Sequence, residues 1–387
     1  QVPHTMPALL PSPDPDGLLE YSVVYTDRAL NHMSANFQGV MVDLSKALKG
    51  VYNAKEVAII PGSGTYGMEA VARQFATEKH ALVLRNGWFS YRWTQIFEAG
   101  NIPSSVTVMK AKRTGPGDTA PFAPAALDEV VATIKREKPA AVFAPHVETS
   151  AGIILPDCYI KTVADTTHEV GGVFVLDCIA SGCVWVDMQA LGVDALISAP
   201  QKGWTGPACC AMVMLSERGA KVTAATKSTS FTIDLATWVK VMQTYEAGKH
   251  MYHATMPTDA LRVFRDVVKE SQQYGLDKLK DQQLQLGREL RELLHSKFGF
   301  KSVAAPGFQA PGVVVCYTTN PSFKSGAAFA AEGVQIAAGV PLALDEGPGY
   351  STFRVGLFGK DKLMNVPRTV RLLEHVLNKI VKDRARL

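Results

Sequence analysis

Val173-Phe174-Val175-Leu176-Asp177 places four apolar residues in a row and ends them in a carboxylate. A short, wholly apolar run of this kind reads as a strand covered on both faces. Working outward, similar runs precede it at Val57–Ile60, Leu82–Leu84, Val106–Met109 and Ala141–Ala144, and others follow at Ala195–Ser198 and Ala211–Leu215. Helical patterns separate several of them, at Met68–Ala76, Ala126–Lys135 and Ile160–Val170. Apolar strands alternating with helices imply an α/β fold built on a mostly parallel sheet. The pattern changes after about residue 250. A long helical stretch, Thr258–Lys297 with Gly275 as a break, leads into strands at Gly312–Tyr317 and Thr352–Leu357 and a final helix near Val366–Val381. That is the signature of a smaller C-terminal α+β domain. The expected division is a proline-rich arm over residues 1–20, a large domain over 21–255 and a small domain over 256–387.

The chain has 387 residues, nearly half of them hydrophobic and one fifth charged, with a net charge of +4. Two compact domains fit that length, and such a composition excludes wholesale disorder. The basic residues Lys379, Lys382, Arg384 and Arg386 read as a solvated helix end, so no nucleic-acid partner is expected. No apolar run reaches the roughly 18 residues of a membrane span, and no secretion signal is legible at the N-terminus. Six cysteines without a CxxC pair, most of them in apolar runs, suit a reducing compartment, so a cytoplasmic location is expected.

In an open parallel sheet, ligands bind beyond the carboxyl ends of the strands. Asp177 stands at such an end, either facing a site or capping the next turn. Lys202, in Pro200-Gln201-Lys202-Gly203-Trp204, follows the next strand. It either reaches solvent along its stem or is desolvated; desolvation lowers a lysine pKa and frees the amine for Schiff-base chemistry. Together the two residues say more than either alone. Pyridoxal 5′-phosphate (PLP) needs a lysine for its aldehyde and an anion beside its pyridine nitrogen, and these residues end successive strands of one sheet. A phosphate seat is the third requirement. Ile60-Pro61-Gly62-Ser63-Gly64-Thr65 follows a strand and opens a helix, whose N-terminus favours anions. The same segment supports a rival: Gly62-x-Gly64-x-x-Gly67 fits the dinucleotide fingerprint of an NAD(P)-dependent dehydrogenase, with Arg85 as a 2′-phosphate partner. That alternative leaves Asp177 and Lys202 without a task.

The ordered strings His146-Val147-Glu148-Thr149-Ser150-Ala151-Gly152, Leu176-Asp177-Cys178-Ile179-Ala180-Ser181 and Gln201-Lys202 resemble class V aminotransferases of PLP fold type I, in particular the alanine–glyoxylate and serine–pyruvate branch. The similarity runs from about Asn31 to the last helix. It implies that Lys202 carries the cofactor as a Schiff base and shuttles protons, and that Asp177 pairs with the pyridinium. It implies further that Ser63, Gly64, Thr65 and Gln201 surround the phosphate, that Phe89 (or its neighbour Trp88) stacks on the ring and that Thr149 lies near the phenolic oxygen. Tyr252 and Thr255 match residues that reach the phosphate of a neighbouring subunit, which implies a homodimer with shared sites. Arg354, in Phe353-Arg354-Val355-Gly356, matches the residue that grips the substrate α-carboxylate, a task suited to a two-pronged guanidinium.

The chain departs from the family pattern at its start, where Pro11-Ser12-Pro13-Asp14-Pro15 stands in place of Gly-Pro-Gly-Pro. Asn31 occupies a position often held by glycine, and is expected to add an amide near the substrate. Arg92 either selects an acidic substrate or is structural, with the structural role favoured. Phe89 and Gln201 stand where cysteine desulfurases carry histidines, which argues against that activity. His250-x-x-His253 has metal-ligand spacing but no further ligands, so no metal is expected. The expected activity is transfer of an amino group from a small amino acid to a 2-oxo acid such as glyoxylate or pyruvate. A PLP-dependent lyase on the same scaffold remains the alternative.

Overall fold

In the computed structural model, residues 10–382 are described; residues 1–9 of the expected arm, and the basic residues Arg384 and Arg386, lie outside them. The seven apolar runs form one sheet: β1 (Glu56–Pro61), β2 (His80–Arg85), β3 (Ser105–Lys110), β4 (Ala141–Pro145), β5 (Val173–Asp177), β6 (Ala195–Ser198) and β7 (Cys210–Leu215). Their spatial order is β1-β7-β6-β5-β4-β2-β3, and only β7 runs against the others. β4 to β7 are buried along their whole length, which explains their unbroken apolar sequences.

This order removes the dinucleotide alternative. A dinucleotide fingerprint works within a βαβ unit whose two parallel strands share one half of the sheet. Here β1 lies at the sheet edge against antiparallel β7, and β7, β6, β5 and β4 separate it from β2. Arg85 is spent internally: it donates to Thr94 Oγ1 at 2.8 Å and lies 4.6 Å from the centre of the Tyr91 ring.

Helices α2 (Gly64–Phe75), α3 (Trp88–Gly100), α4 (Leu127–Glu137) and α5 (Asp157–Glu169) connect the strands. The sequence pattern did not announce α1 (Ala35–Tyr52), which starts where Ser34 accepts from the Phe37 N–H at 3.1 Å and ends where Asn53 turns left-handed. Nor did it announce α6 (Leu235–Glu246). The long helical stretch is two helices, α7 (Thr258–Tyr274) and α8 (Leu276–Arg291), divided at Gly275, whose φ of +107° suits glycine. Leu261, Phe264 and Val268 of α7 belong to the core of the large sheet. A second core takes in residues from Leu279 to Leu377, including β8 (Val313–Tyr317), β10 (Thr352–Gly356) and α9 (Val366–Lys382). Helix α7 thus packs on the large sheet, while Leu279 onward contributes to the second core. A two-residue strand, β9 (Ala337–Ala338), joins the far edge of β10.

Candidate active site

The carboxyl ends of β1, β6, β5 and β4 lie along one edge of the sheet. Asp177 pairs in register with Ile197 on one side and Pro145 on the other. The Ile179 N–H donates to its Oδ1 at 2.9 Å, while Oδ2 has no donor among the described residues. Burial pushes its pKa up to about 7; Glu148 adds to the rise, while the Ile179 N–H and the Arg92 and Lys202 charges pull it down.

Beyond β6 the chain makes a tight turn that presents Lys202. Thr205 N–H returns to the Lys202 carbonyl at 3.1 Å and Gly206 N–H to that of Pro200 at 2.8 Å. Thr205 takes a left-handed φ of +62°, unusual for a β-branched residue, and its Oγ1 accepts the Lys360 N–H at 3.0 Å. A side chain on Gly203 would collide with the Gly182 carbonyl, so the backbones pack directly there. The Lys202 ammonium makes no hydrogen bond or ion pair among the described residues; it lies 5.2 Å from the centre of the Phe358 ring. Burial and then the nearby Arg354 lower its pKa, with Asp177 opposing them. A partly buried amine without a hydrogen-bonding partner, biased toward its neutral form, is a nucleophile in waiting.

The third component is the start of α2. Gly62 adopts φ +123°, and Ser63, the N-cap residue, makes no capping bond with its hydroxyl. A Cβ on Gly64 would collide with Ile179, two residues past Asp177. The helix N-terminus is thus held against the strand end that carries the carboxylate. Its first N–H groups have no intrahelical acceptors, which makes the turn an anion seat.

The start of α3 forms a wall. Phe89 has the Arg92 guanidinium 5.3 Å from its ring centre and that of Arg354 at 5.7 Å, whereas Trp88 packs on Tyr91. The structure therefore directs Phe89, not Trp88, between the arginines. Arg354 lies on β10 and donates from Nε to the Ala338 carbonyl at 2.7 Å, leaving its two Nη groups without a partner among the described residues.

Glu148 had no role assigned from sequence, and it organises this wall. It has no exposed surface. Its Oε1 accepts from Phe89 N–H (3.2 Å), Ser150 N–H (3.1 Å) and the Ser150 hydroxyl (2.7 Å), and its Oε2 from Ser90 N–H (2.8 Å) and the Ser90 hydroxyl (2.7 Å). A carboxylate set against a helix N-terminus suits the helix dipole as well as the bare N–H groups. No sequence signal marks it, because its partners at 89 and 90 are remote in the chain. Phe358 was missed for the same reason.

Thr149 is buried in the turn beside Glu148, and Gln201 is exposed beside Lys202. Three expected residues are not gathered with these. Asn31 turns its amide to Glu20 Oε2 (2.8 Å) and Ser22 Oγ (3.1 Å) and accepts the Met33 N–H, so within one chain its polar atoms are used in the arm. Tyr252 and Thr255 pair with each other at 3.0 Å on the surface, where Tyr252 is 49% exposed.

A seven-stranded, mostly parallel sheet presenting a lysine, a carboxylate and a helix N-terminus at one edge defines an enzyme site of the amino-group-transfer type. The class-V aminotransferase profile matches residues 17–355, and the chain belongs to that family. It is an aminotransferase, and the family implies PLP as its cofactor. Alanine–glyoxylate aminotransferase 1 of Saccharomyces cerevisiae is 25% identical over 348 residues, covering 86% of each chain. (S)-ureidoglycine–glyoxylate transaminase of Bacillus subtilis is 29% identical over 196 residues, 49% of this chain and 44% of that one. In three dimensions the crystal structure of ureidoglycine–glyoxylate aminotransferase from Bacillus subtilis superposes with a TM-score of 0.73 at 24% identity, covering 89% of this chain and 85% of that one.

Proposed function

We propose that this enzyme binds PLP through Lys202 and moves the amino group of a small amino acid to a 2-oxo acid, with glyoxylate as acceptor and pyruvate as the other candidate. The observation that carries the proposal is Lys202 itself, a partly buried amine without a hydrogen bond or ion pair, sharing one sheet edge with Asp177 and the Gly64 helix start. When bound, PLP supplies an electron sink for the bond cleaved at the substrate Cα. Arg354 would hold the α-carboxylate with its free Nη groups. The Lys202 Nζ would act as the base that takes the proton from the substrate Cα. Asp177, once ionised, would hold the ring nitrogen in its protonated form. Ser63, Gly64, Thr65 and Gln201 would hold the phosphate, with Phe89 covering the ring and Thr149 at its oxygen. The names of the relatives above support glyoxylate.

We further assign a homodimer with shared sites. In one chain Leu18, Tyr21 and Val23 are 98%, 90% and 102% exposed, an unusual concentration of apolar surface on one segment. A second copy covering it would also bring Asn31, Tyr252 and Thr255 to the partner's site. The six free cysteines support a reducing, cytoplasmic location, and no helix among the described residues is long and apolar enough to cross a membrane.

The test is the near-visible spectrum of the purified protein, followed by borohydride reduction and peptide mapping. A yellow chromophore lost on reduction, with the label on Lys202, is expected, and Lys202→Ala should abolish transamination. A label on another lysine, or near-normal turnover by K202A, overturns the assignment.

A further inference from the structure

Arg92 has no place in the mechanism above, and its surroundings do not suit the two roles its sequence position suggested. It is the fifth residue of α3, half-buried, and makes no ion pair among the described residues. A purely structural surface arginine would have a carboxylate or carbonyl partner. A substrate-selecting arginine would leave its guanidinium free, as Arg354 leaves its Nη groups. Instead Arg92 Nη1 donates to Thr65 Oγ1 at 3.0 Å, across from α3 to the first turn of α2.

The direction of that bond decides its consequence. A guanidinium has only donors, so Thr65 Oγ1 must accept. A hydroxyl carries one proton, and with its oxygen engaged by Arg92 that proton is free to donate elsewhere. Thr65 belongs to the anion seat, beside the uncapped Ser63 hydroxyl and the bare N–H groups of the helix start. Without Arg92 the hydroxyl could turn its oxygen lone pairs toward an arriving anion, or spend its proton on a backbone carbonyl one turn back. With one lone pair taken by Arg92, the hydroxyl is biased to meet an anion with its proton. The Phe89 ring, 5.3 Å from the guanidinium, restricts the arginine on its other side. The same charge also pulls the Asp177 pKa down.

We propose that Arg92 is a positioning residue of the phosphate seat, acting through the Thr65 hydroxyl, which it fixes as a donor toward the cofactor's phosphate group. The proposal rests on the PLP assignment above. It goes further in naming a residue that touches neither substrate nor reacting atoms yet sets how tightly the phosphate is held.

The measurement is the equilibrium affinity of the full chain for two probes, PLP and pyridoxal, which lacks the phosphate. It is made on wild type, Arg92→Met, Thr65→Val and the double variant. Loss of a charge-supported hydrogen bond should weaken PLP binding by about 10- to 100-fold in R92M, while pyridoxal affinity changes by less than about threefold. T65V should lower the PLP-to-pyridoxal ratio similarly, and adding R92M to T65V should lower it by less than a further factor of about three, because the two changes remove one interaction. Equal weakening of both probes by R92M would assign Arg92 to the ring wall or to folding and overturn the proposal. Additive effects of the two substitutions would overturn it as well, by showing that Arg92 does not act through Thr65. If R92M does not fold, T65V carries the test alone, and an unchanged ratio overturns the proposal. A wild-type chain that takes up no PLP would sink the cofactor assignment itself, a result separate from any of these.

Discussion

Replacing Glu148 by Gln changes one oxygen into an NH₂ group and almost nothing in volume, yet the structure predicts a large penalty. With the new amide nitrogen at the Oε1 position, three hydrogen bonds are lost and two backbone N–H groups face a donor. With it at Oε2, two bonds are lost and only the Ser90 N–H is opposed, since the Ser90 hydroxyl can turn to the Gly87 carbonyl at 3.0 Å. The second arrangement is the better one. It still leaves a buried N–H unsatisfied, at about 1–3 kcal/mol, and replaces the remaining charge-assisted bonds by weaker neutral ones, for a total of about 2–4 kcal/mol. There is no room for a rescuing shift, because the Gly87 Cα already packs against Glu148 and Ser150. Equilibrium urea unfolding of wild type and E148Q at neutral pH measures the loss directly. A cycle with Ser90→Ala adds a second check: the two changes share a contact, so their effects should sum to less than the separate values. A loss below about 0.5 kcal/mol, the level of an ordinary surface substitution, would refute the assignment of Glu148 as the anchor of the Phe89 wall.

Two further outcomes follow from the site. Burial raises the Asp177 pKa from the ordinary carboxylate range, about 3.9, to about 7. Between those values the unfolded chain has released the proton and the folded cofactor-free protein has not, so stability falls as pH rises through that window. Asp177→Asn should therefore stabilise the cofactor-free protein relative to wild type, with a gain absent below about pH 4 and growing toward pH 7; a difference flat in pH, measured from unfolding midpoints, would contradict the burial of this group. Arg354→Lys keeps the charge but not the fork, and should raise KM for α-carboxylate substrates by about 10- to 100-fold, with a smaller effect on kcat. Unchanged steady-state kinetics would place the carboxylate clamp elsewhere.

The sequence by itself determined the sheet and its chemistry-bearing edge. Runs such as Val173–Leu176 and Ala211–Leu215 are apolar throughout because both faces of their strands are buried, and that burial is a local property a sequence displays. Asp177, Lys202 and the Gly62–Thr65 turn were legible because each ends or follows such a run. Helix α1 was less legible, since Gly39 and Gly50 dilute its pattern and its inward face is set by packing against α6 and α7. Only the tertiary structure decided the strand order, which parts β1 from β2 and so excludes a dinucleotide fold. It alone showed Glu148 reaching back to residues 89 and 90, Arg92 crossing to Thr65, and Phe358 beside Lys202. A strand's burial is written in consecutive residues, but a hydrogen bond between two helix starts depends on how separate segments meet, which no periodicity encodes.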